Sequence, residues 1–166
     1  MNKKLILHDL PPDKIEHLLS GADGDCTVFP AYPDVHSCMG CFGCWFNTSG
    51  ECAIDDRGKG FADMISRHSE FLVISRIVFG GLSPSVKTVI ERCIGYSSPF
   101  FHIVNGEMHH VMRYETKPYL RYIFYGQNIG TREKEIALKL AAANALNFAA
   151  KFSVSFYVSV DEIEGL

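Results

Sequence analysis

The sequence predicts one α/β domain, residues 1–166, with helices on both faces of a parallel sheet. Two observations lead to this prediction. Strand-like and helix-like segments alternate along the chain, and this alternation builds parallel strands joined by right-handed crossovers. The 166 residues are 47% hydrophobic and 21% charged, which suits a single folded domain and excludes a disordered chain.

The first predicted elements are two strands separated by a short helix. An apolar run at 3–7 predicts a buried strand. A pair of prolines then opens a helix at about 13–19, since proline is favoured in the first helical turn. The second strand covers 26–29, and an irregular stretch, 30–56, follows it.

The rest of the chain alternates regularly between helix and strand patterns. The apolar segment 70–75 is typical of a strand buried inside a parallel sheet. Ser83 is the predicted N-cap of a helix with Pro84 at its first position, and Thr131 is the predicted N-cap of a long helix with acidic residues in its first turn. Six residues follow the last strand, so the sequence predicts no final helix. In order, the predicted elements are a helix at 58–67, a strand at 70–75, a helix at 83–93, a strand at 119–125, a helix at 131–151 and a strand at 153–160.

Charge and hydropathy argue against two classes of partner. Lys and Arg total 16 and Asp and Glu total 19, a net charge of −3, which offers no basic surface for nucleic acid. The apolar run near the start is too short for a secretory signal, and no run reaches the ~18 residues of a membrane span. We therefore expect a cytoplasmic protein whose six cysteines are reduced.

Four cysteines lie within fifteen positions and are the candidate metal ligands. Cys38, Cys41 and Cys44 are separated by two residues each, and Cys52 follows after seven more; we call residues 38–52 the cysteine loop. Thiolates at such spacings on a glycine-containing loop can hold a cubane [4Fe-4S] cluster, and zinc is the chemical competitor. The other interpretation is a structural loop of small, partly buried cysteines without metal.

The segment 38–92 resembles the flavodoxin-like NAD(P)H-dependent FMN reductases and the iron–sulfur flavoproteins. The resemblance implies a three-layer flavodoxin-like domain with an open five-stranded sheet in the order 2-1-3-4-5. The count of predicted elements adds that the last helix of this fold is missing here. It also implies FMN at the carboxyl edge, NAD(P)H as the electron donor, and oligomers. The residues that carry the resemblance are Cys41, Cys44, Trp45, Gly50, Cys52, Asp55, Asp56, Ser83, Lys87, Glu91 and Arg92.

The candidate cofactor site lies beyond the carboxyl ends of the strands, where ligands bind in sheets of this kind. We expect the cysteine loop to converge on the same edge. No residue is singled out as catalytic. The candidate cofactor-binding residues are Arg76, Val78, Phe79, Gly80, Gly81 and Ser83 after the third strand of the sheet and Gly126, Gln127 and Asn128 after the fourth.

The loop after the first strand departs from the family pattern. Members of the family that this chain resembles hold the FMN phosphate there with a loop rich in Ser, Thr and Gly, whose N–H groups bind the dianion. Here the loop reads HDLPPD at 8–13, with two carboxylates and two prolines that lack an N–H group. Arg76, at the same edge, is a candidate anion ligand.

Two functions of different classes therefore stay open. The first is a flavoprotein oxidoreductase, in which NAD(P)H reduces FMN and the electrons pass to a small acceptor, to a protein, or through an iron–sulfur cluster. The second is a flavodoxin-like binding or structural module with a degenerate flavin site and no redox activity.

Two features predict a homodimer or a larger assembly. Without a final helix one sheet face is thinly covered, and the candidates for exposed apolar residues are Phe156 and Val158, or their neighbours on the opposite face of the strand. The aromatic segment 95–118 is long for an unstructured connection, so we expect a lid over the carboxyl edge or a contact between subunits. Its GEMHH sequence at 106–110 is similar to that of one flavodoxin-like subgroup, and we assign it no role.

Overall fold

The computed structural model describes residues 3–22, 24–32, 34–164 and 166, and it confirms the predicted α/β architecture. The described residues form seven strands, five α-helices and two short 3-10 helices, the last being Arg92–Tyr96 and Val160–Glu162. The strands are β1 (Lys3–His8), β2 (Asp25–Pro30), β3 (Glu70–Arg76), β4 (Ser97–Val104), β5 (Glu107–Met112), β6 (Tyr119–Tyr125) and β7 (Phe152–Tyr157), and the helices are α1 (Pro12–Leu19), α2 (Gly43–Phe46), α3 (Phe61–Ser66), α4 (Pro84–Glu91) and α5 (Thr131–Asn147).

Five parallel strands form the main sheet in the order β2-β1-β3-β6-β7, which is the predicted 2-1-3-4-5 order once the β4–β5 hairpin is set aside. From β1 the chain first adds β2 on one side and then crosses to β3 on the other. The switch in strand order therefore lies between β1 and β3, the place where open parallel sheets form a ligand crevice at their carboxyl edge.

Helices α3, α4 and α5 cover one face of the sheet. Phe61 and Val86 from the helices pack with Phe71 from β3, and all three side chains are fully buried. The burial of each contributes roughly 1.5–3 kcal/mol to folding. Strand residues of the opposite parity point to the second face, where Ile6 and Ile74 pack against α1 and against the chain beyond β7.

The prediction of exposed apolar side chains on β7 is wrong for Phe156. This residue packs against the helix-covered core, where its ring stacks on that of Phe124 at 5.8 Å. The β7 residues of the other parity begin with Ser153 and Ser155, which are small and polar. Val158 lies just beyond the strand and is 58% exposed.

The segment 95–118 contains the antiparallel β4–β5 hairpin. Asn105 and Gly106 both have positive φ values, 52° and 84°, and join the strands in a two-residue turn. The outer part of the hairpin is exposed on both faces. Its exposed apolar side chains are Phe100, Phe101, Ile103, Met108 and Val111.

Two predicted helices are shorter than expected. Gly60 has a φ of 77° and cannot continue a helix, so α3 begins at Phe61 rather than at 58. At the other end of the chain α5 stops at Asn147, and Ala149 with a φ of 49° leads into β7. Among the described residues, no helix is long and apolar enough to cross a membrane.

Candidate functional site at the carboxyl edge

Asp9 closes the crevice at the switch point. Its two carboxylate oxygens accept the N–H group of Arg76, at 3.2 and 3.0 Å, at the end of β3. One of them also accepts a hydrogen bond from the Tyr125 hydroxyl at 3.0 Å, at the end of β6. Burial, and then the nearby Asp9 carboxylate, raises the pKa of Tyr125, so this hydroxyl keeps its proton and donates at neutral pH. One side chain thus joins the ends of three strands.

His8 stands behind this carboxylate and is 1% exposed. Burial lowers its pKa to about 4, so the imidazole is neutral at pH 7. Its Nδ1 atom accepts the N–H group of Leu10 at 3.1 Å, which leaves the proton on Nε2. Within the part of the chain that the structure describes, Nε2 is buried without a hydrogen-bond partner.

The loop after β1 does not fit the phosphate of FMN. The N–H of Asp9 faces the Ile74 carbonyl at 3.4 Å, and that of Leu10 binds His8, so neither is free for an anion. Pro11 and Pro12 have no N–H group, and α1 starts there with an acidic residue in its first turn. The carboxylate of Asp9 occupies the place where N–H donors would have to surround a dianion.

A tight turn at 78–81 follows β3 and presents an aromatic ring. Val78 and Gly81 exchange backbone hydrogen bonds of 3.0 and 2.8 Å. Between them Phe79 and Gly80 have φ values of 50° and 79°, a conformation that non-glycine residues rarely adopt. The Phe79 ring is 90% exposed at the carboxyl edge. A Cβ atom at Gly80 would lie 2.7 Å from Cβ of Ile136, so this turn packs closely on the start of α5.

The loop 126–128 lies beside this turn. The N–H of Ile77 donates to the Tyr125 carbonyl at 2.9 Å, and a Cβ atom at Gly126 would lie 3.0 Å from Cγ2 of Ile77. Gln127 and Asn128 are exposed beyond this contact. The structure therefore brings the two predicted segments together into one open surface that carries the ring of Phe79 and the polar side chains of Gln127 and Asn128.

The remaining candidates have different surroundings. Ser83 is buried, and its N–H donates to the Ser75 hydroxyl at 2.9 Å, which fixes the start of α4. Its own hydroxyl faces that of Ser85 at 3.4 Å. The side chain of Arg76 is exposed at the same edge, while its backbone N–H binds Asp9.

The expectation that the cysteine loop joins this edge is wrong. The loop packs on the far end of α4, where Gly50 touches Gly95. There Cys38 and Asn147 line one cavity of about 600 Å³. Because α5 starts at the carboxyl edge and Asn147 is the last of its 17 residues, the two regions are separated by about 25 Å, the length of the helix.

Arg92 anchors the cysteine loop from the end of α4. Its guanidinium is fully buried and donates two hydrogen bonds of 2.9 Å to the carboxylate of Asp56. The other donors reach the carbonyls of His36 and Ile54, at 2.7 and 3.3 Å, and Sγ of Cys52 at 3.2 Å. A pattern of Asp and Arg 36 positions apart gives no local signal, so sequence analysis did not find this pair.

The four thiols of the loop are neighbours. Cys44 is buried and Cys41 is exposed. Burial raises the pKa of Cys44, and the nearby thiols of the other three cysteines raise it further. Among the described residues, no three Cys, His, Asp or Glu side chains are arranged to hold a metal ion.

Trp45 connects the cysteine loop with the hairpin. Its ring lies 5.1 Å from the ring of Phe42 and 4.6 Å from that of His110. Its indole N–H donates to the Ile94 carbonyl at 2.9 Å. The ring of His110 also lies 4.3 Å from the ring of Phe101. A continuous row of rings therefore crosses the junction between the cysteine loop and the hairpin.

Neither a protein-family model nor a curated protein sequence matches the chain. Among solved structures, the general stress protein 14 from Treponema denticola in complex with FMN is 12% identical, with 95% of this chain and 85% of that one covered and a TM-score of 0.54. An azoreductase from Bacillus anthracis str. Sterne is 13% identical, with 94% and 87% covered and a TM-score of 0.57. An FMN-dependent NADH-azoreductase from Bacillus anthracis str. Ames Ancestor, in complex with FMN, is 11% identical, with 94% and 86% covered and a TM-score of 0.54. These similarities show a shared flavodoxin-like fold.

Proposed function

We propose that this protein is a flavin-dependent oxidoreductase that works at the carboxyl edge of its sheet. The observation that carries the proposal is the meeting of the 78–81 turn and the 126–128 loop beside the switch point. The fold is shared with proteins solved in complex with FMN, one of them an NADH-azoreductase. NAD(P)H is the proposed electron donor, and a small molecule or a protein is the acceptor.

The proposed ring site uses the exposed Phe79 and the backbone around Gly81 on one side. Gly126, Gln127 and Asn128 form the other side. An aromatic ring and open backbone groups suit a flat, polar-edged ring system such as isoalloxazine. The chain offers no phosphate cradle after β1, so we assign no step of the reaction to bound FMN.

A second candidate function is favoured by Asp9. Because this carboxylate takes the donors at the switch point, the fold can also serve as a binding module without flavin. The two candidates differ in a single property, which is whether the protein binds a flavin at all.

The first experiment titrates flavin with the purified protein and monitors binding through the quenching of flavin fluorescence. We expect saturable binding in the unmodified protein and weaker binding in F79A. The matched control is F46A, which removes a ring that is 73% exposed in the cysteine loop, away from the carboxyl edge. If no flavin binds, the oxidoreductase proposal is wrong and the second candidate stands.

A [4Fe-4S] cluster on Cys38, Cys41, Cys44 and Cys52 is the finer proposal for the cysteine loop. It requires the loop to rearrange, because the described thiols do not surround a common point. Iron and sulfide analysis of anaerobically prepared protein tests it, with C41S as the variant that should lose iron. If the unmodified protein contains neither iron nor sulfide, the cysteine loop is structural.

We also propose that the β4–β5 hairpin is a contact between two copies of the chain. An isolated two-stranded hairpin is marginally stable in water, and three or more strands are needed for independent stability. A second hairpin supplies the missing strands and covers apolar side chains that are exposed on both faces. A symmetric pairing of this kind uses the same surface on both subunits.

A further inference from the structure

We propose that Asp9 makes the carboxyl-edge site select a flavin without a terminal phosphate, so that riboflavin binds more tightly than FMN. This inference rests on the proposed flavin site and goes further, because it names the chemical class of flavin that the site accepts. The fold is shared with proteins solved in complex with FMN, yet this chain places a carboxylate at the switch point.

The hydrogen-bond donors at the switch point are already in use. A phosphate there needs N–H or O–H groups directed at its oxygens. The backbone N–H of Arg76 and the hydroxyl of Tyr125 both donate to Asp9. The hydroxyl of Tyr32 donates to the Leu10 carbonyl at 2.7 Å. A phosphate would have to displace a carboxylate that accepts three hydrogen bonds within the protein.

The charges around Asp9 also disfavour a phosphate. A phosphate monoester carries close to two negative charges at pH 7, and the carboxylate of Asp9 would repel it at short range. Behind Asp9 the imidazole of His8 is buried and neutral, so it does not offset this charge. Nearby Lys14 is paired with Asp161 at 2.7 Å. The guanidinium of Arg57 also lies at this edge, but it donates to the carbonyls of Pro30 and Tyr32, at 2.6 and 3.3 Å. The guanidinium of Arg76 is exposed at the edge, and it faces two negative groups if a phosphate is added.

The backbone of the loop lacks donors as well. Pro11 and Pro12 remove two N–H groups from the turn that leads into α1. Asp13 in the first helical turn adds a further negative charge at the end of the helix where phosphates bind in other folds. None of these features disfavours the flavin ring or an uncharged ribityl chain. The ring surface beside Phe79 stays available.

The experiment compares riboflavin and FMN on the full-length protein by fluorescence titration at low ionic strength. We expect riboflavin to bind at least about tenfold more tightly than FMN. In D9N, which keeps an oxygen acceptor for the Arg76 amide and removes the charge, the ratio should fall towards one. The matched control is D13N, which removes an exposed charge from the same loop and should leave most of the ratio intact.

The outcomes separate this inference from the proposed function. If FMN binds the unmodified protein as tightly as riboflavin, or if D9N keeps the full ratio, the role of Asp9 is wrong and the flavin site stands. If neither flavin binds either protein, the proposed function itself is wrong. If D9N does not fold, the ratio of the riboflavin and FMN affinities is measured in the unmodified protein at low and at high salt. The inference requires this ratio to fall as salt is added, because salt screens the repulsion between Asp9 and the phosphate of FMN.

Discussion

The guanidinium of Arg92 and the carboxylate of Asp56 face each other in the protein interior and share two hydrogen bonds of 2.9 Å. Asp56 also accepts the N–H group of Gly58 at 2.8 Å. The hydrogen bond from Arg92 holds the pKa of Asp56 well below its usual range. The irregular segment around Asp56 is thus fixed to the end of α4 by one charged pair, and both side chains of the pair have hydrogen-bond partners.

Replacing Arg92 with alanine should destabilise the protein by about 3–5 kcal/mol, because it leaves the Asp56 carboxylate buried without its counter-charge. R92K should recover only part of this loss, since an ammonium group cannot reach the five acceptors that the guanidinium binds. The matched control is R67A, which removes an exposed partner of Asp63 and should cost less than about 1 kcal/mol. Urea unfolding followed by circular dichroism measures all three. A loss below about 1 kcal/mol in R92A would contradict the prediction.

His8 should make stability depend on pH between about 4 and 6.5. Its pKa is about 4 in the folded protein and 6.5 in an unfolded chain, so protonation favours the unfolded state. The contribution of the neutral, buried ring is fully present above pH 6.5 and is lost as the pH falls to 4, by about 3 kcal/mol in total. H8N keeps an acceptor for the Leu10 N–H and should show a smaller loss over this range. The control H17N changes an exposed histidine, and equal pH slopes in all three proteins would disprove the assignment.

Gly95 should tolerate no side chain. A Cβ atom there would overlap the backbone carbonyl of Gly50, and neither backbone can move without separating the cysteine loop from α4. We expect G95A to lose more than about 2 kcal/mol, as is usual when a close-packed contact is overfilled. Gly21 has open space around its Cβ position, so G21A is the control and should differ from the unmodified protein by less than about 1 kcal/mol. Similar melting temperatures for the two variants would show that the contact is not tight.

The hairpin predicts the state of assembly. We expect light scattering to give twice the 18.6 kDa mass of the chain at micromolar concentration. F100S and I103S remove side chains that are 72% and 69% exposed, and each should shift the equilibrium towards the monomer at least tenfold. L138S changes an exposed apolar residue on α5 and should leave the dimer intact. A monomer for the unmodified protein, or a dimer unaffected by both hairpin variants, contradicts the proposed contact.

The sheet could be predicted from sequence because its strands are short apolar runs between clear helix starts. The hairpin was missed in spite of a strong local signal. Asn105-Gly106 is a favoured two-residue turn, but the flanking strands expose apolar residues on both faces and so lack the alternation that marks a strand.

The candidate site could be predicted only where topology decides it. The 78–81 turn and the 126–128 loop follow neighbouring parallel strands, so the strand order alone brings them together. The bridge from Asp9 to Arg76 and Tyr125 spans 67 and 116 positions, and no local pattern indicates a contact over such distances. The predicted position of the cysteine loop was wrong for a related reason. An irregular segment has no periodic pattern of apolar residues from which its direction could be predicted.

Trp45 is the single tryptophan of the chain, and its place between Phe42 and His110 gives the protein a built-in optical reporter. Its emission monitors the junction of the cysteine loop with the hairpin, whereas the far-ultraviolet signal comes from the strands and helices as a whole. When both are recorded during one denaturation, the difference between their midpoints measures how far this junction opens before the sheet unfolds. The chain can therefore report local opening of one region without any added label.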